Sequence, residues 1–268
     1  MDLLLFVKVV VLGAVEGLTE FLPVSSTGHL IIASDLLRFT GERAKTFQIF
    51  IQLGAILGVV WNYRHRLFEY GTALDDRTAR QFWLNLFIAF VPAAIVGFAF
   101  HKQIKAYLFN PTAVAIALVV GGVLILIIER MSPRVRVHDV ERLTALDALK
   151  VGVAQTASLF PGISRAGATI MGGLLAGLSR TAATEFSFFL AIPTMLVATC
   201  YELFVSGHLL EAQDLLIFGL GFVVAFVTAL FVVRAFLAYV ARYNFIAFGY
   251  YRIGFGLLVL LYFNFPTQ

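Results

Sequence analysis

The chain has 268 residues, of which 60% are hydrophobic and 13% charged, where a soluble domain carries about 25% charged residues. With a mean hydropathy of +0.90, that composition excludes a water-soluble globular protein and leaves an integral membrane one. The formal net charge of +4 comes from basic residues in short loops between apolar runs, a pattern of membrane topology and not of a nucleic-acid partner.

In chain order, the opening MDLLLFVKVVVLG is apolar but lacks a charged leading region and a small-residue cleavage site, so it reads as mature structure. It runs into Glu16 to His29, EGLTEFLPVSSTGH, which sets two carboxylates, four hydroxyls and an imidazole inside apolar sequence. Ionisable groups at membrane depth are costly and usually functional; the plainer alternative is a polar loop between two helices. Apolar spans are predicted at about 46–63, 82–100, 112–129, 184–205, 215–233 and 247–264, six in all. Two further segments, about 3–36 and 146–178, are broken by LPVSSTG and FPGISRAG and read as re-entrant helical hairpins, because unpaired backbone at that depth must line a cavity or be buried in protein. Cys200, the single cysteine, excludes disulfides and thiolate metal sites and is expected to pack in the core.

A constant offset of 139 lays Gly13 on Gly152, Phe21 on Phe160, Ser25 on Ser164, Gly28 on Gly167, Phe47 on Phe186 and Phe50 on Phe189. Each copy opens a half made of one broken segment and three spans, and an odd number of spans inverts the second half. The expected fold is therefore all-α and polytopic: one membrane domain over 1–268, with an inverted-topology repeat whose halves cover about 1–130 and 146–268. Orientation follows from the loops. Arg64, Arg66, Arg77 and Arg80 in 64–81, and Arg130, Arg134, Arg136, Arg142 and Lys150 in 130–150, mark the cytoplasmic face. Loop 101–111 has only Lys102 and Lys105, and loop 206–214 has neither Lys nor Arg, which puts both termini and the mouth of the first hairpin outside.

Within the first hairpin, Glu16 and Glu20 are one helical turn apart and suit a hard divalent cation or a general base; separately solvated carboxylates are the plainer alternative. Pro23 stops a helix, and Ser25, Ser26 and Thr27 can cap a new one running on from Gly28, whose first N–H groups and dipole would welcome phosphate. His29 in its first turn is a candidate acid, base or nucleophile. In the second hairpin Arg165 takes the place of Ser26; its guanidinium suits a phosphate, or a structural salt bridge to Glu16 or Glu20. Ser164 and Thr169 would add hydroxyls. Lesser candidates are Glu185, as a cap or a partner of Arg165, Gln52, facing the same cavity, and Arg252, an interfacial anchor beside Tyr250 and Tyr251; a structural role is the expectation for all three. Inverted repeats with broken helices also serve secondary transporters, so a lipid-carrier transporter or flippase using the same phosphate-binding residues is the alternative function.

EGLTEFLPVSSTGHL at 16–30, KTFQIFIQLG at 45–54, PGISRAGATI at 161–170 and SRTAATEFSFFLAIP at 179–193 give the chain its resemblance to the undecaprenyl-diphosphate phosphatase family, the bacitracin-resistance type. The resemblance implies a hydrolase of the bacterial cytoplasmic (inner) membrane that removes the terminal phosphate of undecaprenyl diphosphate and returns the lipid carrier to cell-wall synthesis. Its site would open to the periplasmic or outer side and depend on a divalent cation, Mg2+ or Ca2+. Membrane lipids would surround it, nucleic acid would not be a partner, and a homodimer is compatible with it. Carried over residue by residue, the family's acids fall on Glu16 and Glu20, its serine on Ser26, its histidine on His29 and its arginine on Arg165. The second motif usually has serine on both sides of the arginine; here the later position is Ala166.

Overall fold

The computed structural model describes residues 3–107, 110–206 and 214–264. Eleven α-helices follow in order among them: α1 Leu3–Thr19, α2 Ser26–Leu36, α3 Glu42–Asn62, α4 Arg64–Thr72, α5 Arg77–Tyr107, α6 Pro111–Met131, α7 Ala145–Gln155, α8 Arg165–Leu175, α9 Arg180–Ser206, α10 Asp214–Val240 and α11 Ile246–Asn264. The described residues contain no strand beyond an isolated bridge between Val137 and Leu178. α3, α5, α6, α9, α10 and α11 are long and apolar enough to cross a membrane, and the chain is a multi-pass membrane protein.

The segments expected to be broken are broken. α1 stops at Thr19, ahead of Pro23, and α2 starts after Ser25, whose φ of 71° lies in the left-handed region. The second segment repeats this pattern, with Ser164 at φ 73° before α8. Both α2 and α8 are 11 residues long, and the residues that turn out of them, Arg38 (φ 48°) and Gly177 (φ 88°), are again left-handed and again 139 positions apart. Holding a non-glycine residue in that region costs roughly 1–2 kcal/mol, a strain that Ser25 and Ser164 share.

Close helix contacts explain why glycines sit where they do. α1 packs against α10, where a Cβ on Gly13 would lie 2.7 Å from the Gly221 carbonyl and one on Gly17 would lie 2.6 Å from that of Ala225. α7 packs against α5 in the same manner, with Gly152 against the Ala89 carbonyl. Each broken segment therefore lies on a span from the other half of the sequence. α6 and α11 cross where Gly122 meets the Gly249 carbonyl and Gly256 meets that of Ala115. Phe47, Phe186, Phe188 and Phe189 fill the core between these helices.

Several expectations need correction. The segment 64–81, expected to be a loop, contains α4, and α5 continues through 101–107; the side chains of Lys102 and Lys105, together with 108–109 and 207–213, lie outside the described residues. Cys200 is exposed on α9, turned away from the core. Glu185 does not reach Arg165; it meets Arg66 at 3.5 Å, and Arg66 also pairs with Glu141. Gln52 accepts from Thr199 Oγ1 at 3.3 Å, which ties α3 to α9. The arginine-rich face is clamped further by Arg136 with Asp147 (2.9 Å) and by the bidentate pair Arg180 with Glu129 (3.0 and 2.6 Å).

Arg252 is the largest departure. As an interfacial anchor its head would sit in water, yet the residue is 1% exposed. Its guanidinium donates to the carbonyls of Pro23 (3.1 Å), Gly162 (2.8 Å) and Ile163 (2.8 Å) in the two broken turns, and of Ala117 and Leu118 (both 3.3 Å) in α6. A kinked backbone leaves carbonyls without helical partners, and one five-donor side chain satisfies those of both turns at once.

Candidate active site

Where α1 ends, Glu20 is still hydrogen-bonded by its N–H to the Glu16 carbonyl, and the turn that follows brings Ser26 back over it. Ser26 Oγ donates to Glu20 Oε2 at 2.5 Å. From the other broken segment, Arg165 at the start of α8 places Nη2 3.5 Å from Glu20 Oε1. Its Nη1 donates to the Ser187 carbonyl of α9 at 3.0 Å, and its guanidinium lies 5.6 Å from the centre of the Phe21 ring. Glu16 and Glu20 are both buried, as is the arginine side chain.

This is not a completed salt bridge. A contact of 3.5 Å is too long for a good charge-assisted hydrogen bond. Arg165 Nε and Nη2 and Glu16 Oε1 are buried without any hydrogen-bond partner, and leaving such groups unmade costs about 1–3 kcal/mol each. The unpartnered N–H groups have the chemistry to receive an anion and the unpartnered carboxylate oxygen that to receive a cation. Among the described residues no three His, Cys, Asp or Glu side chains cluster as a metal cage. The Glu16 and Glu20 oxygens are hard donors that fit Mg2+ or Ca2+ as part of a coordination sphere, with phosphate oxygens and water as the natural remainder.

The other predicted residues divide. Ser25 gives α2 no side-chain cap, which leaves that helix start open to an anion, whereas Ser164 Oγ already accepts from Gly167 N–H at 3.1 Å and closes the start of α8. Thr27 is half-buried in the first turn of α2. Gly28 is turned to Leu118, and its missing Cβ lets α2 lie on α6. Thr169 is fully buried behind the arginine, bonded to the Arg165 carbonyl (2.9 Å) and to Ser187 Oγ (2.6 Å). Ala166 is packed in the core, so the serine absent there leaves no gap in the polar cluster. His29 stands apart from Ser26: Nδ1 engages the Ser25 carbonyl at 2.8 Å, and Nε2 engages the Tyr251 hydroxyl at 2.7 Å.

Sequence reading missed Ser187, which holds Arg165, and Tyr251, which holds His29. For Ser187 a signal existed, since it falls within the motif 179–193. The second copy also does not duplicate the acids: Gln155 and Leu159 stand at the repeat positions of Glu16 and Glu20. The two copies therefore build one site between them.

Comparison with known proteins places the chain in a family. Residues 9–258 match the family described as bacitracin resistance protein BacA. The chain is 54% identical over 261 residues to the undecaprenyl-diphosphatase of Dechloromonas aromatica, covering 97% of this chain and 95% of that one. It is 55% identical to the undecaprenyl-diphosphatase of Nitrosomonas europaea over 261 residues (97% and 96%), and 57% identical to undecaprenyl-diphosphatase 1 of Paraburkholderia xenovorans over 267 residues (97% and 96%). On its sequence and the extent of these matches, the chain belongs to the bacitracin resistance protein BacA family.

Proposed function

We propose that the chain hydrolyses undecaprenyl diphosphate to undecaprenyl phosphate and inorganic phosphate, which recycles the lipid carrier for cell-wall synthesis and underlies bacitracin resistance. The observation that carries the reading at the site is Glu20, whose carboxylate accepts from Ser26 on one oxygen and lies beside Arg165 on the other, with Arg165 Nε and Nη2 left without a hydrogen-bond partner. Arg165 and the open start of α2 bind the terminal phosphate and offset its charge as the transition state develops. Ser26 attacks phosphorus in line with the bridging oxygen while Glu20 takes the hydroxyl proton, and undecaprenyl phosphate leaves as the P–O bond breaks. Water then releases phosphate from Ser26. The 2.5 Å contact supports Glu20 as the base in preference to His29. Glu16 and Glu20 would hold the divalent cation, which supplies charge neutralisation for the diphosphate.

The membrane is the bacterial cytoplasmic one, with the site opening to its outer side; the arginine-rich loops on the opposite face support this orientation. The halves form an inverted repeat with two re-entrant hairpins, a reading supported by the matched left-handed residues and the reciprocal packing of α1 on α10 and α7 on α5.

Phosphate release from undecaprenyl diphosphate by the purified protein in detergent tests the activity, and no release would overturn it. Glu20→Gln is expected to lower kcat at least about 100-fold, the usual worth of a positioned base. Ser26→Ala separates nucleophile from donor: loss of about 1,000-fold or more supports covalent attack, whereas an activity within tenfold of the parent would mean that water attacks directly. EDTA is expected to abolish release and added Mg2+ or Ca2+ to restore it; full activity in chelator would remove the metal from the mechanism.

A further inference from the structure

Beside the polar cluster, on the other side of the turn that links Glu20 to Ser25, an apolar groove of about 340 Å3 lies between the first broken segment and α11. Leu18, Leu22 and Val24 form one wall, and Ala247 and Phe248 form the other. Thr19 also lines this side, and its hydroxyl is turned back to donate to the Val15 carbonyl at 2.7 Å. Leu18 and Tyr251 are about half exposed, so the groove opens on the lipid-facing surface. His29 and Tyr251 meet at its end, hydrogen-bonded to each other, with the imidazole stacked on Phe255 at a centroid distance of 4.1 Å.

On the diphosphatase reading above, a substrate must have its head at Ser26 and Arg165 and its hydrocarbon somewhere apolar and open to lipid. Leu22 and Val24 belong to the same short turn that positions Glu20 and Ser26, so groove and cluster share a wall. A volume of about 340 Å3 is at the scale of small-molecule sites, enough for the proximal part of a long chain while the remainder lies in the bilayer.

We propose that this groove receives the proximal isoprene units of the substrate's prenyl chain, and that Tyr251 is a positioning residue that fixes His29 in the groove wall against the first turn of α2, the turn that carries Ser26. Both imidazole nitrogens are engaged, one by the Ser25 carbonyl and one by Tyr251, so the ring is held between the α2 start and α11 as a rigid divider. Removing the Tyr251 hydroxyl frees that ring without emptying the groove.

Two variants and one probe test this, all in the full-length protein with farnesyl diphosphate and dimethylallyl diphosphate as substrates. Ala247→Trp narrows the groove and is expected to raise KM for farnesyl diphosphate about tenfold more than for dimethylallyl diphosphate, with kcat changing less, since the lost contacts are those of a chain and are made equally in ground and transition states. Tyr251→Phe is expected to do the reverse, lowering kcat for both substrates about tenfold with little change in KM, as loss of an orienting hydrogen bond does. A farnesyl diphosphate analogue with a diazirine in its first isoprene unit is expected to crosslink the unmodified protein within 18–24 or 247–251. Equal KM changes for the two substrates, or crosslinks confined to other segments, would overturn the groove assignment, and parent kcat in Tyr251→Phe would overturn the positioning role. Crosslinks at these segments without phosphate release from any prenyl diphosphate would leave the groove standing and defeat the hydrolase reading instead.

Discussion

Arg165→Ala is expected to lower phosphate release by about 1,000-fold or more, the scale seen when a cation that stabilises a transferring phosphoryl group is removed. The side chain is buried and anchored to the Ser187 carbonyl by Nη1, while Nη2 stands 3.5 Å from Glu20 and both Nε and Nη2 lack a hydrogen-bond partner, so it keeps donor capacity for a phosphate. Arg165→Lys is expected to fail nearly as badly, because a point ammonium cannot hold the Ser187 carbonyl and present a fork to phosphate at once. Steady-state kinetics on variants that elute as the parent does would check both. Parent-like turnover in either would reduce Arg165 to a counter-ion for Glu20.

Arg252→Met is expected to have the largest effect on stability, for a reason unrelated to chemistry. It would strip hydrogen bonds from the carbonyls of Pro23, Gly162, Ile163, Ala117 and Leu118 at one buried point. Ala117 and Leu118 keep their helical partners within α6, but each turn carbonyl left unmade, those of Pro23, Gly162 and Ile163, costs about 1–3 kcal/mol, and together they reach the roughly 4–5 kcal/mol that marks an exceptional substitution. Thermal unfolding in detergent should show a drop of many degrees with loss of activity, while the exposed Arg242→Met serves as a control expected to stay within about 0.5 kcal/mol of the parent. An Arg252→Met protein as stable as the control would mean that water satisfies those carbonyls.

The broken segments were legible because their punctuation is local: Pro23 and Pro161 forbid continuation, and Ser25 and Ser164 restart the chain. The meeting of Glu20 with Arg165 was legible for a different reason, since a buried cation and a buried acid in two copies of one motif have few other partners. Arg252 was not. One arginine beside two tyrosines in an apolar run is also the composition of an interfacial anchor, and only the tertiary fold reveals that its face of α11 meets two kinked turns. Glu185 was misassigned because sequence does not say which side of α9 it occupies, and α4 was hidden in a stretch too polar to show a helical apolar stripe. The neighbours of His29 were not legible, because Tyr251 lies more than two hundred positions away.

The reciprocal packing of the broken segments also sets an order of assembly. α7 can dock on α5 as soon as it leaves the ribosome, because its partner has already been made. α1 is synthesised first but must wait for α10, about 200 residues later, before the surface around Gly13 and Gly17 finds its mate. Arg252, which pins the tips of both segments, follows later still. The acids and serine of the first segment are thus set against Arg165 only once α10 and α11 have been made, so a nascent chain that stops short of them carries the motif without the phosphatase.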